Sequence, residues 1–216
     1  MTILALEFSS AQRSVALARD GRLLAEASEA GGRETHAFGM IEKVLAAAKI
    51  GRAEIECLAI GLGPGSYTGI RVALSIAQGW QLATGVKLLG IGSVKCLATQ
   101  AQAEKMYGRV NVVIDAQRGE FYLATYEISA TDLKEVVLLK IVSAAEIESR
   151  ATAGEILAGP EATNRFPDGK VLFPEANMLA TLAAQRADFA AGEKLEPIYL
   201  RETNFVKAPP TRMMAA

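Results

Sequence analysis

The pattern that most constrains this chain is an order of elements written twice. In the first half, residues 3–8 form an apolar strand, and "SVALARDGRLLAEAS" sets Asp20-Gly21 between two alternating apolar runs. Asp-Gly suits a type I′ hairpin turn, because both central residues need positive φ. Three strands in a meander follow from this. Ala37, Met40, Ile41, Val44, Leu45 and Ala48 recur at helical spacing and predict a helix over 34–49, ended by Gly51. "CLAIGL" is a buried strand, 67–84 a second helix and 86–91 another strand, and a third helix starts at Ser93, its cap. The second half repeats the order. "RVNVVIDAQ", "EFYLATYEI" and "LKEVVLLK" are strands, followed by a helix from Ser143 and the strand "EILAG". An irregular stretch over 164–170 and a last helix over 175–190 complete it. The expected fold is α/β, two lobes from a duplicated βββαβα unit with mixed sheets, the first over 1–106 and the second over 107–200. Residues 201–216 carry two prolines and no periodicity, and are expected to be a loose tail.

Composition excludes several functions. Half of the 216 residues are hydrophobic, ample for a core. The formal net charge is -1, from 23 basic and 24 acidic residues. A protein that grips nucleic acid alone concentrates cations against the phosphates, so work on RNA would need a partner to hold it. The apolar runs are short and broken by charge, so no membrane span is expected. "MTILALEFSS" has no basic region before its apolar run and is expected to be a first strand, not a signal peptide. Cys57 and Cys96 lie in separate apolar segments and make no disulfide framework, which suits a reducing cytoplasm.

The stretch "IGLGPGSYTGIRVAL" carries the chemistry question. It lacks the Gly-Lys of a Walker A loop and the third glycine of a dinucleotide fingerprint. Two readings stay open: an anion site at a helix N-terminus, or a tight turn with Ser66 or Thr68 as cap. The helix that follows has Arg71 as its sole charge from Gly69 to Thr84 and is apolar on two faces. Such a helix is either covered within its own lobe or docks on another subunit. His36 is the one histidine, too few for an ordinary zinc or iron site, and no G-x-S-x-G elbow occurs. Glu7 and Asp115, at equivalent strand ends, could hold magnesium with ATP or simply cap turns.

"AIGLGPGSYTGIRVALSIAQG" closely resembles the "GPGSFTGLR" signature of the TsaB family, also called YeaZ. The segments "ILALEFSS", "RETHAFGMIEKVL", "VVIDAQRGEFYLATYE" and "PIYLRE" agree in order. The resemblance implies an actin-like (ASKHA) fold and a part in making threonylcarbamoyladenosine beside the anticodon of transfer RNA. It implies that catalysis belongs to a paralogue, TsaD, which carries a metal-binding pair of histidines that this chain lacks. It further implies dimerisation with TsaD through N-lobe helices, a TsaE-type ATPase in the assembly, and a homodimer when alone. Transfer RNA would be met only through the complex. No tightly bound cofactor is implied for the isolated chain, and ATP or ADP is left to the level of the complex.

Carried onto this sequence, the partner surface is His36, Phe38 and Met40 on the first helix, and Tyr67, Arg71, Leu74 and Gln78 on the second. Leu74→Asp is accordingly expected to abolish association while leaving the fold largely intact. Gly63, Pro64, Gly65, Ser66, Thr68 and Gly69 become a vestigial phosphate site that starts an interface helix. Where the family's first strand ends in Asp-Thr-Ser, this chain has Glu7-Phe8-Ser9, which weakens the case for nucleotide hydrolysis. Two rivals remain. One is a small actin-like ATPase or kinase using the glycine loop and Asp115. The other is a glycoprotease-type peptidase, which the missing ligand set disfavours.

Overall fold

The computed structural model describes residues 1–30, 36–160 and 165–200. The first sheet contains β1 (Thr2–Glu7), β2 (Gln12–Arg19), β3 (Arg22–Ala30), β4 (Cys57–Gly61) and β5 (Lys87–Ile91), in the order β3-β2-β1-β4-β5. β1 is antiparallel to β2 and parallel to β4, β2 is antiparallel to β3, and β4 is parallel to β5. Asp20 and Gly21 have φ of 52° and 76°, the positive pair that the hairpin turn needs.

The second sheet contains β6 (Gly108–Asp115), β7 (Glu120–Ile128), β8 (Leu133–Ser143), β9 (Ile156–Gly159) and β10 (Lys170–Val171). Its order is β10-β9-β6-β7-β8. Taken from the other edge, this is the first sheet again, with the same parallel and antiparallel pairs. The duplicated unit expected from the sequence is therefore present in both strand order and strand direction.

Five α-helices occur among the described residues: α1 (Ala37–Ala48), α2 (Tyr67–Thr84), α3 (Ser93–Ala103), α4 (Ala144–Thr152) and α5 (Ala176–Ala184). α1 and α2 cover one face of the first sheet, burying Leu6 and Leu17 with Ile41, Ile70 and Leu74. α5 covers the other face, where Ala5 and Ala16 meet Leu179 and Ala183. α3 lies on the second sheet, with Leu97 and Ala101 against Val110 and Val112. The helix after the last strand of each sheet thus crosses to the other lobe. Each fully buried Leu or Ile contributes about 1.5–3 kcal/mol relative to exposure, so this exchange of helices ties the lobes together. α4 seals the remaining face through Ile147, beside Phe121 and Leu123.

Three boundaries differ from expectation. α1 ends at Ala48, with Lys49 in the left-handed cap conformation at φ 56°, ahead of Gly51. α5 stops at Ala184, short of 190, because tertiary hydrogen bonds take over the chain. The Ala190 N–H donates to the Leu88 carbonyl at 3.0 Å, and the Gly192 N–H donates to Gln81 Oε1 at 2.7 Å. The stretch expected to be irregular contains β10, whose two residues pair with Ala158 and Gly159 and are too few to show a period. The tail over 201–216 lies outside the described residues, as do 31–35, where the first helix was expected to begin. No described helix is long and apolar enough to cross a membrane. Cys57 and Cys96 are free and buried.

Candidate partner surface and the closed glycine loop

The glycine loop lies backbone to backbone on the end of β1. The Ser66 N–H donates to the Ser9 carbonyl at 2.6 Å, and the Ser93 N–H donates to the Gly63 carbonyl at 2.7 Å. Gly63-Pro64 is a cis peptide. A Cβ on Gly65 would come within 3.0 Å of the Ser9 carbonyl oxygen, and one on Gly69 within 3.0 Å of the Phe8 carbonyl oxygen. Gly65 also has φ +145°, which side-chain-bearing residues rarely adopt. The glycines are therefore required for close approach of two backbones. Ser66 is the cap, its Oγ accepting from the Gly69 N–H at 3.3 Å. Of the two sequence readings of this loop, the geometry has the features of the tight helix start. Thr68 is exposed and Gly63 and Pro64 are buried.

Glu7 is locked under this loop. Its side chain is fully buried, and its carboxylate accepts hydrogen bonds from the Ser9 N–H at 2.8 Å and Ser93 Oγ at 2.9 Å. Ser93 Oγ in turn accepts from the Gly63 N–H at 3.2 Å. A Cβ on Gly61 would collide with the Glu7 carboxylate. Burial pushes the Glu7 carboxyl above the ordinary glutamate range, opposed by the hydrogen bonds from Ser9 and Ser93. Folding therefore favours the protonated form. Its contribution to stability is full below the ordinary glutamate pKa of about 4.3 and is lost as pH rises through the raised folded value. Glu7→Gln, uncharged at every pH, is expected to flatten that decline. Urea midpoints of both proteins across the acidic to neutral range measure it, and parallel curves would refute it.

Across from the loop, the turn after β6 carries Asp115, half-buried and accepting from the Gln117 N–H at 2.8 Å. Ser9, Arg13 and Tyr67 of the first lobe face Asp115 and Tyr122 of the second across a cleft of about 490 Å³. Glu7 does not line it. The two strand-end carboxylates are thus held apart in role, one sealed and one at the cleft wall. Among the described residues, no group of three His, Cys, Asp or Glu side chains could hold a metal ion.

The other feature of this lobe is an aromatic groove between the start of α1 and the first turns of α2. It has a volume of about 490 Å³ and is lined by Phe38, Tyr67, Arg71, Val72 and Ile76 among others. Phe38 is 64% exposed and Tyr67 57%. The Arg71 guanidinium stacks on the Tyr67 ring at 3.9 Å, and Tyr199 stacks on the same ring at 5.6 Å. His36 is exposed at the cap of α1, its Nδ1 3.9 Å from Glu29. Gln78 is exposed but donates its amide to the Gly192 carbonyl at 3.0 Å.

Met40 and Leu74 point the other way. They are 6% and 5% exposed and belong to the core between α1, α2 and the first sheet. The expectation that Leu74→Asp spares the fold is corrected by this burial: at position 74 the helix periodicity selects the inward face. Sequence reasoning missed Arg13 and Tyr199. Arg13 had a local signal, a charge two residues before Val15 and four before Leu17 in one strand register, both of them core positions. Tyr199 had none, since its partner is 132 positions earlier by its number, at Tyr67.

Two lobes of one mixed-sheet topology, joined by exchanged helices and separated by a cleft at the strand turns, define an actin-like (ASKHA) protein. The family model for TsaD, tRNA N6-adenosine threonylcarbamoyltransferase, matches residues 34–199. The tRNA threonylcarbamoyladenosine biosynthesis protein TsaB of Escherichia coli (strain K12) is 30% identical, over 93% of this chain and 95% of its own length. TsaB of Haemophilus influenzae is 29% identical over 97% and 98%. YeaZ from Pseudomonas aeruginosa matches in structure with a TM-score of 0.77 at 27% identity, covering 92% of this chain and 99% of that one. The chain belongs to the TsaB (YeaZ) family.

Proposed function

We propose that this chain is a non-catalytic, activating subunit of the machinery that adds the threonylcarbamoyl group to adenosine beside the anticodon of transfer RNA. It pairs with a TsaD-type catalytic subunit through the α1–α2 face, forms a homodimer through that face when alone, and works with a TsaE-type ATPase. Transfer RNA is held by the assembly. The observation that carries the reading is the exposed aromatic groove at Phe38 and Tyr67, since aromatic and Arg side chains dominate the energetics of protein interfaces. The relatives' names supply the pathway. The near-neutral charge supports a division of labour in which another subunit grips the RNA. The sealed Glu7 supports a non-catalytic reading of this chain, because its side chain is fully buried under the loop and does not line the cleft.

Co-purification with a TsaD-type partner, followed by a transfer RNA modification assay with and without this chain, tests the proposal. Complex formation and a requirement for both proteins are the expected results. Nucleotide hydrolysis by this chain alone, with no partner bound, would overturn it. Phe38→Ala is expected to weaken pairing by about 30-fold or more, the usual cost of removing an aromatic anchor. Its stability should stay within about 0.5 kcal/mol of wild type, as for an exposed position. Isothermal titration against the partner, beside a urea melt, separates the two effects.

A further inference from the structure

Arg71 is the sole charge on α2, and its guanidinium is held against two aromatic rings. It lies 3.9 Å over the Tyr67 ring and 6.0 Å from the Tyr199 ring. Among the described residues it forms no ion pair. Tyr199 is delivered by a distant segment. After α5 the chain runs beside α2 from its last turns toward its first. The Gln81 amide donates to the Ala190 carbonyl at 3.4 Å and the Gln78 amide to the Gly192 carbonyl at 3.0 Å. The Ile198 N–H then donates to the Leu62 carbonyl at 2.9 Å. These bonds fix the backbone that leads to Tyr199, so Arg71 is backed on both strands of the stack before any partner arrives. Pre-organisation of this kind lowers the entropy lost on binding.

The same face offers Arg71 no free acid. α2 has none, and the one acid of α1, Glu42, is paired with Arg52. Glu29, beside the start of α1, accepts from the His36 N–H at 3.1 Å. An isologous pair places the same patch on both sides. A second copy docked through this face therefore brings apolar side chains and another Arg71, and no free carboxylate.

We propose that Arg71 selects the partner, by receiving an aspartate or glutamate of the catalytic subunit carried on an apolar segment that fills the groove over Val72 and Ile76. The inference rests on the α1–α2 pairing proposed above and names what that partner must offer. A guanidinium fork matches a carboxylate with two parallel hydrogen bonds. In the homodimer the same guanidinium is covered with no acid to meet it, which is unfavourable. Specificity is the difference between these two states.

The test titrates the full chain and its Arg71 variants against a TsaD-type subunit by calorimetry, and follows the homodimer by sedimentation. Arg71→Met keeps the hydrocarbon stem and removes the fork. It should weaken pairing with the catalytic subunit by at least about 30-fold, and leave the homodimer as tight as wild type or tighter. Arg71→Glu should weaken the mixed pair further, because like charges then meet. Arg71 is exposed, so matched melting curves should show the fold kept in both variants. Tyr199 is a positioning residue. Tyr199→Ala should weaken the mixed pair in wild type and much less in Arg71→Met, a coupling that an independent contact would not produce, and Tyr199→Phe should restore it. A wild-type chain that fails to pair with the catalytic subunit would overturn the partner reading and this one together. Three results would overturn this one alone: normal pairing by Arg71→Met, equal losses in the mixed pair and the homodimer, or Arg71→Glu pairing as well as Arg71→Met. Additive losses at positions 71 and 199 would overturn the positioning role.

Discussion

Gly69→Ala is expected to lower stability by about 3 kcal/mol or more, at the upper end of what overpacking costs. The added methyl would stand within 3.0 Å of the Phe8 carbonyl oxygen, which is backbone. A flexible side chain could swing aside, but here relief requires the start of α2 to move off β1. That movement would strain the Ser66–Ser9 hydrogen bond and unseat Ile70, which is buried in the first-lobe core. For a chain of this size the melting temperature should fall by roughly 6–12 °C. The control is in the same helix. Gly79 is exposed, and a Cβ there meets nothing within 4 Å, so Gly79→Ala should stabilise by about 0.5–1 kcal/mol through helix propensity. Urea unfolding with an unchanged slope measures both. A Gly69→Ala chain as stable as wild type would show that the loop and β1 are not in contact as described.

Leu74→Asp is expected to unfold the first lobe. Leu74 sits in a core shared with Ile41, Ile70 and Leu88. Removing its side chain costs about 2–5 kcal/mol by itself. A carboxylate in that position adds the penalty of a buried polar group without a partner. The sum reaches the whole stability of many domains, about 5–15 kcal/mol. Loss of association in this variant therefore reports loss of fold, and circular dichroism should show it directly. Phe38→Ala, on the neighbouring helix but exposed, should stay folded. If Leu74→Asp melts like wild type and yet fails to pair, Leu74 belongs to the interface and not to the core.

The contrast between Leu74 and Tyr67 shows how far the sequence could be followed. Both lie on a helix that is apolar on two faces, and the 3.6-residue period sorts its residues into stripes without saying which stripe meets the sheet. Arg71, the one charge, belongs to the exposed stripe with Tyr67 and Ser75, while Ile70, Ala73, Leu74 and Ala77 face inward. Gln78 shows a second limit. It is exposed by period, yet its amide is engaged by Gly192, 114 residues away. The glycine loop was legible as a helix start, with Ser66 as one of two caps. The atoms its glycines avoid were not legible, because the Glu7 carboxylate and the Phe8 and Ser9 carbonyls lie at and just past the end of β1, more than 50 positions earlier by number.

The sequence by itself determined the elements and their duplication. Strand and helix periods, the Asp20-Gly21 turn and the Ser66 cap are set by neighbours a few positions apart, so they can be read directly from the chain. The tertiary structure alone decided what those elements meet. Ser14 Oγ accepts from the Ala176 N–H across 162 residues, and Ser93 Oγ reaches Glu7 across 86. Such contacts fasten α5 to the first sheet and close the loop over Glu7. They depend on close packing between distant segments, and no local spacing records which distant backbone will fill the space beside a glycine.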